Sequence, residues 1–128
     1  LLAEVQRQNI AVMFVDIVSF TSLSERRGTE GTITLLSELH GRLEQTVFEN
    51  SGTLDKFLGD GVMATFGTPH PSERDAEHAL AAGLAVAQFA DAWNQVHTSM
   101  KQEPVTLSVG VHFGEVVLGD VGSAQRLE

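Results

Sequence analysis

Two aspartates stand at positions where a carboxylate could do chemistry. Asp16 directly follows residues 10–15, an unbroken apolar run typical of a strand covered on both faces. Asp60 lies between two glycines that separate two strand-like runs, which is the pattern of a hairpin turn. Because a buried carboxylate without a partner costs free energy, each aspartate should be a cap, a turn residue or a ligand. Taken alone, each is better explained as a cap or turn residue.

The two aspartates could bind the same metal ions if their strands are neighbours in one sheet. Carboxylates on adjacent strands supply hard oxygen ligands for Mg²⁺ or Mn²⁺ on a triphosphate, with water and phosphate oxygens completing the octahedron. Two such ions activate an attacking hydroxyl and stabilise a leaving pyrophosphate. Backbone amides that open a helix after Asp16 would favour phosphate at the same place. This hypothesis requires Asp16 and Asp60 to lie close together.

The apolar periodicity predicts the elements that would position these residues. We expect residues 1–9 to be the end of an incoming helix or linker, and a domain to occupy residues 10–128. The predicted elements are a strand at 10–15, a short helix near Thr21, an amphipathic helix at 30–49, strands at 53–58 and 62–66, a helix from Ser72 to about Met100, and strands at 105–111 and 116–118 joined by a turn near Gly114. This order predicts an α+β fold, a ferredoxin-like βαββαβ core with an extra strand, whose antiparallel sheet carries helices on one face.

The helix after Ser72 is expected to bury a stripe of small and apolar residues against the sheet. The stripe comprises Ala76, Ala79, Leu80, Gly83, Leu84, Ala87, Ala90 and Trp93. Phe89 is expected in the core or at the helix edge. His112 lies in an apolar run and is interpreted as a core histidine. The other histidines, which show no metal-ligand spacing, are His40, His70, His78 and His97.

The composition limits the classes of partner. The chain of 128 residues is 42% hydrophobic, enough for one domain with a core, and it has no cysteine for disulfides or thiolate zinc sites. Its net charge of −9, from 8 basic and 17 acidic residues, argues against nucleic acid and anionic lipid but allows a metal-bound nucleotide. No apolar run approaches the roughly 20 residues of a membrane span. We expect a cytoplasmic piece of a longer protein, with any membrane tether outside this segment.

Three segments in order carry a recognisable pattern. Residues 14–21 resemble the motif F-x-D-I-x-x-F-T, and residues 52–67 resemble G-x-x-x-K-x-x-G-D-x-x-x-x-x-F-G. Residues 109–114 and 119–122 are similar to the segment that follows in the same family. From about residue 10 onward, the sequence therefore resembles the catalytic domain of class III adenylyl and guanylyl cyclases, without the C-terminal part of that domain.

The resemblance implies a role for each matching position. Asp16 and Asp60 match the aspartates that bind two Mg²⁺ or Mn²⁺ ions, together with the backbone carbonyl of Ile17. The residues whose amides match the phosphate-binding turn are Val18, Ser19, Phe20 and Thr21. Lys56 matches the purine-selecting residue, and a lysine there goes with ATP because its ammonium can donate to adenine N1. The implied reaction is the conversion of ATP into cyclic AMP and pyrophosphate.

The resemblance also implies a homodimer. In the family, the active site lies between two subunits, one supplying the metal aspartates and the other the purine-selecting lysine. A later motif supplies a second purine contact, an Asn for the ribose and an Arg for the transition state. We expect that motif beyond residue 128, and therefore expect this segment alone to be inactive or nearly so. Upstream sensor or regulatory domains are compatible with the resemblance.

Other interpretations stay open or are disfavoured by the motifs. A guanylate cyclase and a non-catalytic cyclase-like regulatory or dimerisation module both stay open, since the Asn and Arg cannot be inspected. A diguanylate cyclase is disfavoured because its hairpin carries Gly-Gly-(Asp/Glu)-Glu-Phe, whereas residues 59–62 read Gly-Asp-Gly-Val. A phospho-accepting receiver domain is disfavoured because it needs parallel α/β alternation rather than a hairpin at Asp60.

Overall fold

The computed structural model describes residues 6–118. Its elements, in chain order, are β1 (Gln6–Ile17), α1 (Phe20–Glu49), β2 (Thr53–Leu58), β3 (Gly61–Phe66), α2 (Asp75–Ser99) and β4 (Leu107–Leu118). The predicted βαββαβ order and α+β class are confirmed. Neither helix of the described segment combines the length and apolar character that crossing a membrane requires.

The strands form one antiparallel sheet in the order β2-β3-β1-β4. β1 lies between β3 and β4, so that Val15 pairs with Val62 on one side and with Val109 on the other. The C-terminal end of β1 therefore lies beside the start of β3. This register brings the residues that follow Val15 next to the turn between β2 and β3.

Both helices cover the same face of the sheet. In β1, Met13, Val15 and Ile17 are buried in the core, whereas Phe14 and Asp16 between them are exposed, as the alternation of a strand requires. The largest fully buried side chains are Phe66, Met13, Leu39, Leu43, Val47, Val62 and Val86. The opposite face is called the open face below. It comprises alternate residues of β1 and the residues that pair with them in the neighbouring strands. These residues are Val12, Phe14 and Asp16 of β1, Thr65 and Met63 of β3, Lys56 of β2, which pairs with Met63, and Ser108, Gly110 and His112 of β4.

Two predictions near the ends of the chain are wrong. Residues 6–9, predicted as part of an incoming helix, belong to β1 because they pair with residues 115–118 of β4. The strands predicted at 105–111 and 116–118 form the single strand β4, which passes through Gly114 opposite Ile10. Pairing along the whole of β1 outweighs the local turn preference of glycine. The predicted extra strand is thus part of β4, while residues 1–5 and the motif at 119–122 lie outside the described residues.

The helix boundaries differ from the prediction at two places. α1 contains a kink at Gly28, whose φ of 77° and ψ of 175° are not helical, so the predicted short helix and the amphipathic helix meet there. α2 begins at Asp75 rather than after Ser72. The reason is local: the Asp75 carboxylate accepts hydrogen bonds from the backbone N–H of Ser72 at 2.8 Å and from its hydroxyl at 2.9 Å. Asp75 thereby holds residues 72–74 in a turn outside the helix.

The buried face of α2 also differs from the predicted stripe. Ala79 is the fully buried residue that both sets share, Gly83 faces β4, and Trp93 packs against the core as predicted. Leu80 and Leu84, in contrast, are 58% and 59% exposed. The side chains of α2 that are buried are Asp75, Ala79, Ala82, Val86 and Phe89. Alanines lie on every side of this helix, so their positions do not determine which side faces the sheet. The prediction for Phe89 is confirmed, since this ring lies in the core.

Candidate active site

Asp16 reaches the open face because successive side chains of β1 point to opposite faces of the sheet. Val15 and Ile17 point into the core, so the side chain between them must point away from the helices. Its partner in β4 is Ser108, a small residue that leaves space beside the carboxylate. Asp16 is not the N-cap of α1, because that position is occupied by Ser19. The simpler explanation of Asp16 as a helix cap therefore does not hold.

Asp60 is brought to β1 by the glycines that flank it. Gly59 adopts a φ of 63°, a left-handed conformation that favours glycine in a tight turn. Gly61 packs so closely on β1 that a Cβ atom there would collide with the carbonyl oxygen of Val15 and approach Oδ1 of Asp16 to 3.3 Å. The glycine-aspartate-glycine turn is therefore what allows the hairpin to lie against the end of β1.

The two aspartates converge on one backbone donor. The N–H of Ile17 lies 3.0 Å from Oδ1 of Asp16 and 3.3 Å from Oδ2 of Asp60. The pKa of Asp16 is raised, first because its carboxyl hydrogen-bonds to Asp60, then because it is partly desolvated and is repelled by the charge of Asp60. The hydrogen bond from Ile17 acts in the opposite direction. The proximity on which the metal hypothesis depends is thus present in the structure.

The chemistry of this pair fits a hard divalent cation. Two carboxylates held side by side repel each other when both are ionised, and a divalent cation between them would replace that repulsion with attraction. Residues 6–118 contain no group of three or more His, Asp or Glu side chains placed to bind a metal. A cation at Asp16 and Asp60 would therefore complete its coordination with backbone, water or substrate oxygens, which is the usual situation for Mg²⁺ on a nucleotide.

The predicted phosphate-binding turn follows directly after this pair. Val18 donates its N–H to the carbonyl of Thr106 at 2.9 Å, so this amide is already used within the protein. Ser19 has a φ of 56° and makes no side-chain capping bond. Because α1 begins at Phe20, the amides of Phe20 and Thr21 belong to its first turn, where no earlier helical carbonyl can accept them. That turn contains no acidic side chain, so its positive end is not neutralised within the helix.

A cleft of about 330 Å³ lies between this turn and residues 103–106. Val18, Ser19 and Arg26 contribute to its walls, and Arg26 is held there by Glu103, with 2.8 Å between Nε and Oε1. Neither aspartate lines the cleft. The open face, rather than this cleft, therefore carries the candidate site.

Lys56 lies on the open face but apart from the aspartates. It pairs with Met63, which pairs with Phe14, so Lys56 is two strands away from β1, or about 10 Å at the usual strand spacing. A register shift between Leu54 and Lys56 marks an irregularity in β2 just before this residue. The ammonium lies 3.9 Å from Oδ2 of Asp55, and the side chain of Lys56 is 44% exposed. One copy of the chain thus brings Asp16 and Asp60 together but does not bring Lys56 to them.

One residue at this site is not indicated by the sequence patterns. Nε2 of His40 lies 3.1 Å from the backbone oxygen of Asp60, and its ring stacks on Phe57 with 4.5 Å between centroids. Ligand spacing in the sequence does not reveal this contact, since it is made to a backbone atom by a helix distant in sequence. The available signal was the position of His40 directly after Leu39 on the packed side of α1. The interpretation of His112 as a core histidine is wrong, because its side chain is exposed on the open face.

The family assignment agrees with this geometry. A family model described as the adenylate and guanylate cyclase catalytic domain matches residues 2–127. The chain belongs to this family. The cyclase domain is 35% identical over 122 residues to adenylate cyclase 1 of Rhizobium meliloti, a match that covers 95% of the chain. It spans only 18% of that relative, so the activity of the whole protein is a separate question.

Two solved structures share both fold and sequence with the cyclase domain. The adenylyl cyclase CyaB from P. aeruginosa matches with a TM-score of 0.88 and 30% identity, over 98% of this chain and 65% of that one. The guanylyl cyclase Cya2 matches with a TM-score of 0.86 and 32% identity, over 96% of this chain and 62% of that one. Because both kinds of cyclase match about equally well, the likeness alone does not decide between ATP and GTP.

Proposed function

We propose that this cyclase domain belongs to an adenylate cyclase, which converts ATP into cyclic AMP and pyrophosphate. The observation that carries the proposal is the convergence of Asp16 and Asp60 on the N–H of Ile17. This arrangement places two hard anionic ligands directly before the first turn of α1. A nucleotide triphosphate with its divalent ions is the ligand class that matches both features.

Asp16 and Asp60 would hold Mg²⁺ or Mn²⁺, with the carbonyl of Ile17 as a further ligand. Bound there, two ions would lower the pKa of the ribose 3′-hydroxyl and neutralise charge on the phosphates. The protein's own contribution is to fix the two carboxylates before substrate arrives, through the N–H of Ile17 and the close contact of Gly61 with β1. The bond that forms joins the 3′-oxygen to the α-phosphorus, and the bond that breaks releases pyrophosphate.

The phosphates would lie at the start of α1. The amides of Phe20 and Thr21 and the positive end of the helix dipole favour an anion there. Ser19, the N-cap of α1, would offer its own N–H beside them. We propose these amides as the phosphate cradle, and we leave the Val18 amide out of the direct contacts because Thr106 already accepts its hydrogen.

Lys56 is the proposed determinant of purine specificity. Its ammonium would donate a hydrogen bond to N1 of adenine, which is an acceptor, whereas guanine presents a donor at the same edge. The separation between Lys56 and the aspartates on the open face supports a site completed by a second copy of the chain. In that homodimer, Lys56 of one copy would hydrogen-bond to the purine. Asp16 and Asp60 of the other copy would bind the metal ions that contact the phosphates.

Residues 1–128 by themselves are expected to turn over little or no ATP. The Asn and Arg that orient ribose and stabilise the transition state in the family are not matched by any residue among them. Electrostatic stabilisation of this kind commonly supplies the largest share of the rate enhancement. The full-length protein is therefore the material for the decisive assay.

The test is the formation of cyclic AMP and cyclic GMP by the full-length protein, with ATP or GTP and with Mg²⁺ or Mn²⁺. We expect metal-dependent cyclic AMP formation that is lost in Asp60→Asn. Formation of cyclic GMP instead would assign the domain to a guanylate cyclase. Absent turnover of both nucleotides, with the fold intact, would favour a regulatory or dimerisation module. Turnover that does not depend on metal would overturn the proposed metal site.

A further inference from the structure

The turn that carries Asp60 contacts β1 on one side, but the β2 residues that lead into it are exposed. β2 is at the edge of the sheet formed by residues 6–118, with β3 as its partner strand there. Phe57 and Leu58, which lead into the turn, are 47% and 46% exposed. Gly59 is exposed as well, and a Cβ added there would meet no neighbouring atom within 4 Å apart from the adjacent residues. Gly61 and the N–H of Ile17 hold one side of this turn against β1. Edge hairpins with exposed residues nevertheless open locally at low cost, so a contact on the β2 side of the turn would reduce its motion.

His40 of α1 makes a further contact with this turn, from outside the sheet. Its Nε2 lies 3.1 Å from the backbone oxygen of Asp60. Because a carbonyl oxygen can only accept, Nε2 must carry the hydrogen, so the histidine is the donor. The ring also stacks on Phe57 at 4.5 Å between centroids, with 26° between the planes. One side chain therefore contacts both the strand that enters the turn and the residue at its tip.

We infer that His40 is a positioning residue for Asp60: by donating to the Asp60 carbonyl, it holds the turn so that the Asp60 carboxylate stays beside Asp16. This inference rests on the proposed metal site, and it assigns no direct contact between His40 and metal or nucleotide. It parallels the general behaviour of groups that orient a metal ligand from behind, whose loss typically weakens metal binding or activity by about 10- to 100-fold.

Two substitutions separate the two contacts of His40 in the full-length protein. His40→Phe keeps an aromatic ring for Phe57 but removes the donor. His40→Gln removes the ring but places an amide N–H at nearly the reach of Nε2. The affinity for Mn²⁺ alone is measured from the electron paramagnetic resonance signal of the free ion. We expect His40→Phe to weaken it about 10-fold, and His40→Gln to restore most of the affinity.

Hydrogen exchange without metal gives a second readout. The amides of residues 58–61 should exchange faster in His40→Phe than in the wild type, and His40→Gln should slow them again. This measurement reports the order of the turn whether or not the site binds metal.

His97 provides a matched control. It makes the same two kinds of contact, a stack on the ring of Trp93 at 3.6 Å and a hydrogen bond of 2.7 Å with the Trp93 carbonyl, but within α2. His97→Phe and His97→Gln should leave both Mn²⁺ affinity and exchange at residues 58–61 unchanged. A matching loss in the His97 variants would mean that the effect is general destabilisation, and would overturn the inference.

The outcomes for His40 and for the metal site are distinguishable. If Asp60→Asn binds Mn²⁺ as tightly as the wild type, the proposed metal site is wrong, whatever His40 does. If Asp60→Asn loses binding but His40→Phe does not, the metal site stands and the role of His40 is overturned. Equal losses in His40→Phe and His40→Gln would also overturn it, because the donor would then have no effect of its own.

Discussion

Asp16 and Asp60 lie 44 positions apart by number, and their carboxylates accept a hydrogen bond from the same backbone N–H, at 3.0 Å and 3.3 Å. The donor belongs to Ile17, whose side chain is buried in the core. Burial of the Ile17 side chain in the core therefore fixes the Ile17 N–H, and this N–H positions the carboxylates of both Asp16 and Asp60. In the absence of a cation, this arrangement costs the protein electrostatic repulsion, which is consistent with a site built for binding rather than for stability.

Replacing Asp60 by Asn should impair metal-dependent turnover without lowering the stability of the fold. Asn keeps the size and can still accept from Ile17, but it removes one negative charge. We expect metal-dependent turnover in the full-length protein to fall by about 100-fold or more. The melting temperature without metal should stay the same or rise, because the repulsion with Asp16 is gone. Thermal melts with and without Mn²⁺ check this, and Asp91→Asn, on an exposed position of α2, controls for the loss of an acidic charge. A clear drop in stability without metal would contradict the repulsion argument.

The raised pKa of Asp16 predicts a direction for the pH dependence of stability. The folded protein holds this proton to higher pH than the unfolded chain, whose carboxyl titrates near its ordinary value of 3.8. The folded state therefore binds more protons just above that pH, and the free energy of unfolding falls as pH rises through the raised pKa. Asp16→Asn removes this dependence. We expect the difference in melting temperature, variant minus wild type, to grow as the pH is raised from about 4. A difference that stays constant or shrinks over that range would contradict the interpretation.

The topology and the aspartate pair could be predicted because their signals are local. An apolar run that ends in Asp16, a glycine-flanked Asp60 and two amphipathic helices fix an order of elements that few folds share. The close approach of Asp60 to β1 then follows from that order, since β3 pairs with β1.

The remaining features depend on packing between distant parts of the chain. The length of β4 is set by its pairing with β1, and the side of α2 that faces the sheet is set by the fit of its alanines and Gly83 against β4. His40 contacts Asp60 because α1 lies over β2. None of these relationships leaves a periodic or local pattern in the sequence. The predictions for the first two were therefore wrong, and the third was not predicted.

Lys56 should control the choice between ATP and GTP. In the full-length protein, Lys56→Glu places an acceptor where adenine N1 is also an acceptor, so we expect the ratio of ATP to GTP turnover to fall by at least about 10-fold. Complete conversion to GTP is not expected, because the second purine contact of the family lies elsewhere. Cyclic AMP and cyclic GMP are quantified from parallel reactions. Lys101→Glu, an exposed lysine that follows α2, is the matched control for the charge reversal and should leave the ratio unchanged. An unaltered ratio in Lys56→Glu would remove this residue from purine recognition.

Gly61 should be intolerant of even one added carbon. A Cβ atom there would overlap the carbonyl oxygen of Val15, so Gly61→Ala must push the hairpin away from β1. We expect a loss of about 1–3 kcal/mol in the free energy of unfolding, the usual cost of overpacking, measured by urea denaturation. Metal-dependent turnover should fall by more than the fraction of unfolded protein explains, because the displaced turn also carries Asp60.

The control for that substitution is another strand glycine, Gly110 of β4. Apart from Gly110 and its two chain neighbours, no heavy atom of the described residues lies within 4 Å of a Cβ added there. Gly110→Ala should therefore change the free energy of unfolding by no more than about 0.5 kcal/mol. The contrast between the two variants isolates the contact with Val15 from the general effect of replacing glycine in a strand. If both variants were equally stable, the hairpin would have room to accept the methyl group, and the close packing of β3 on β1 could not be what sets the position of Asp60.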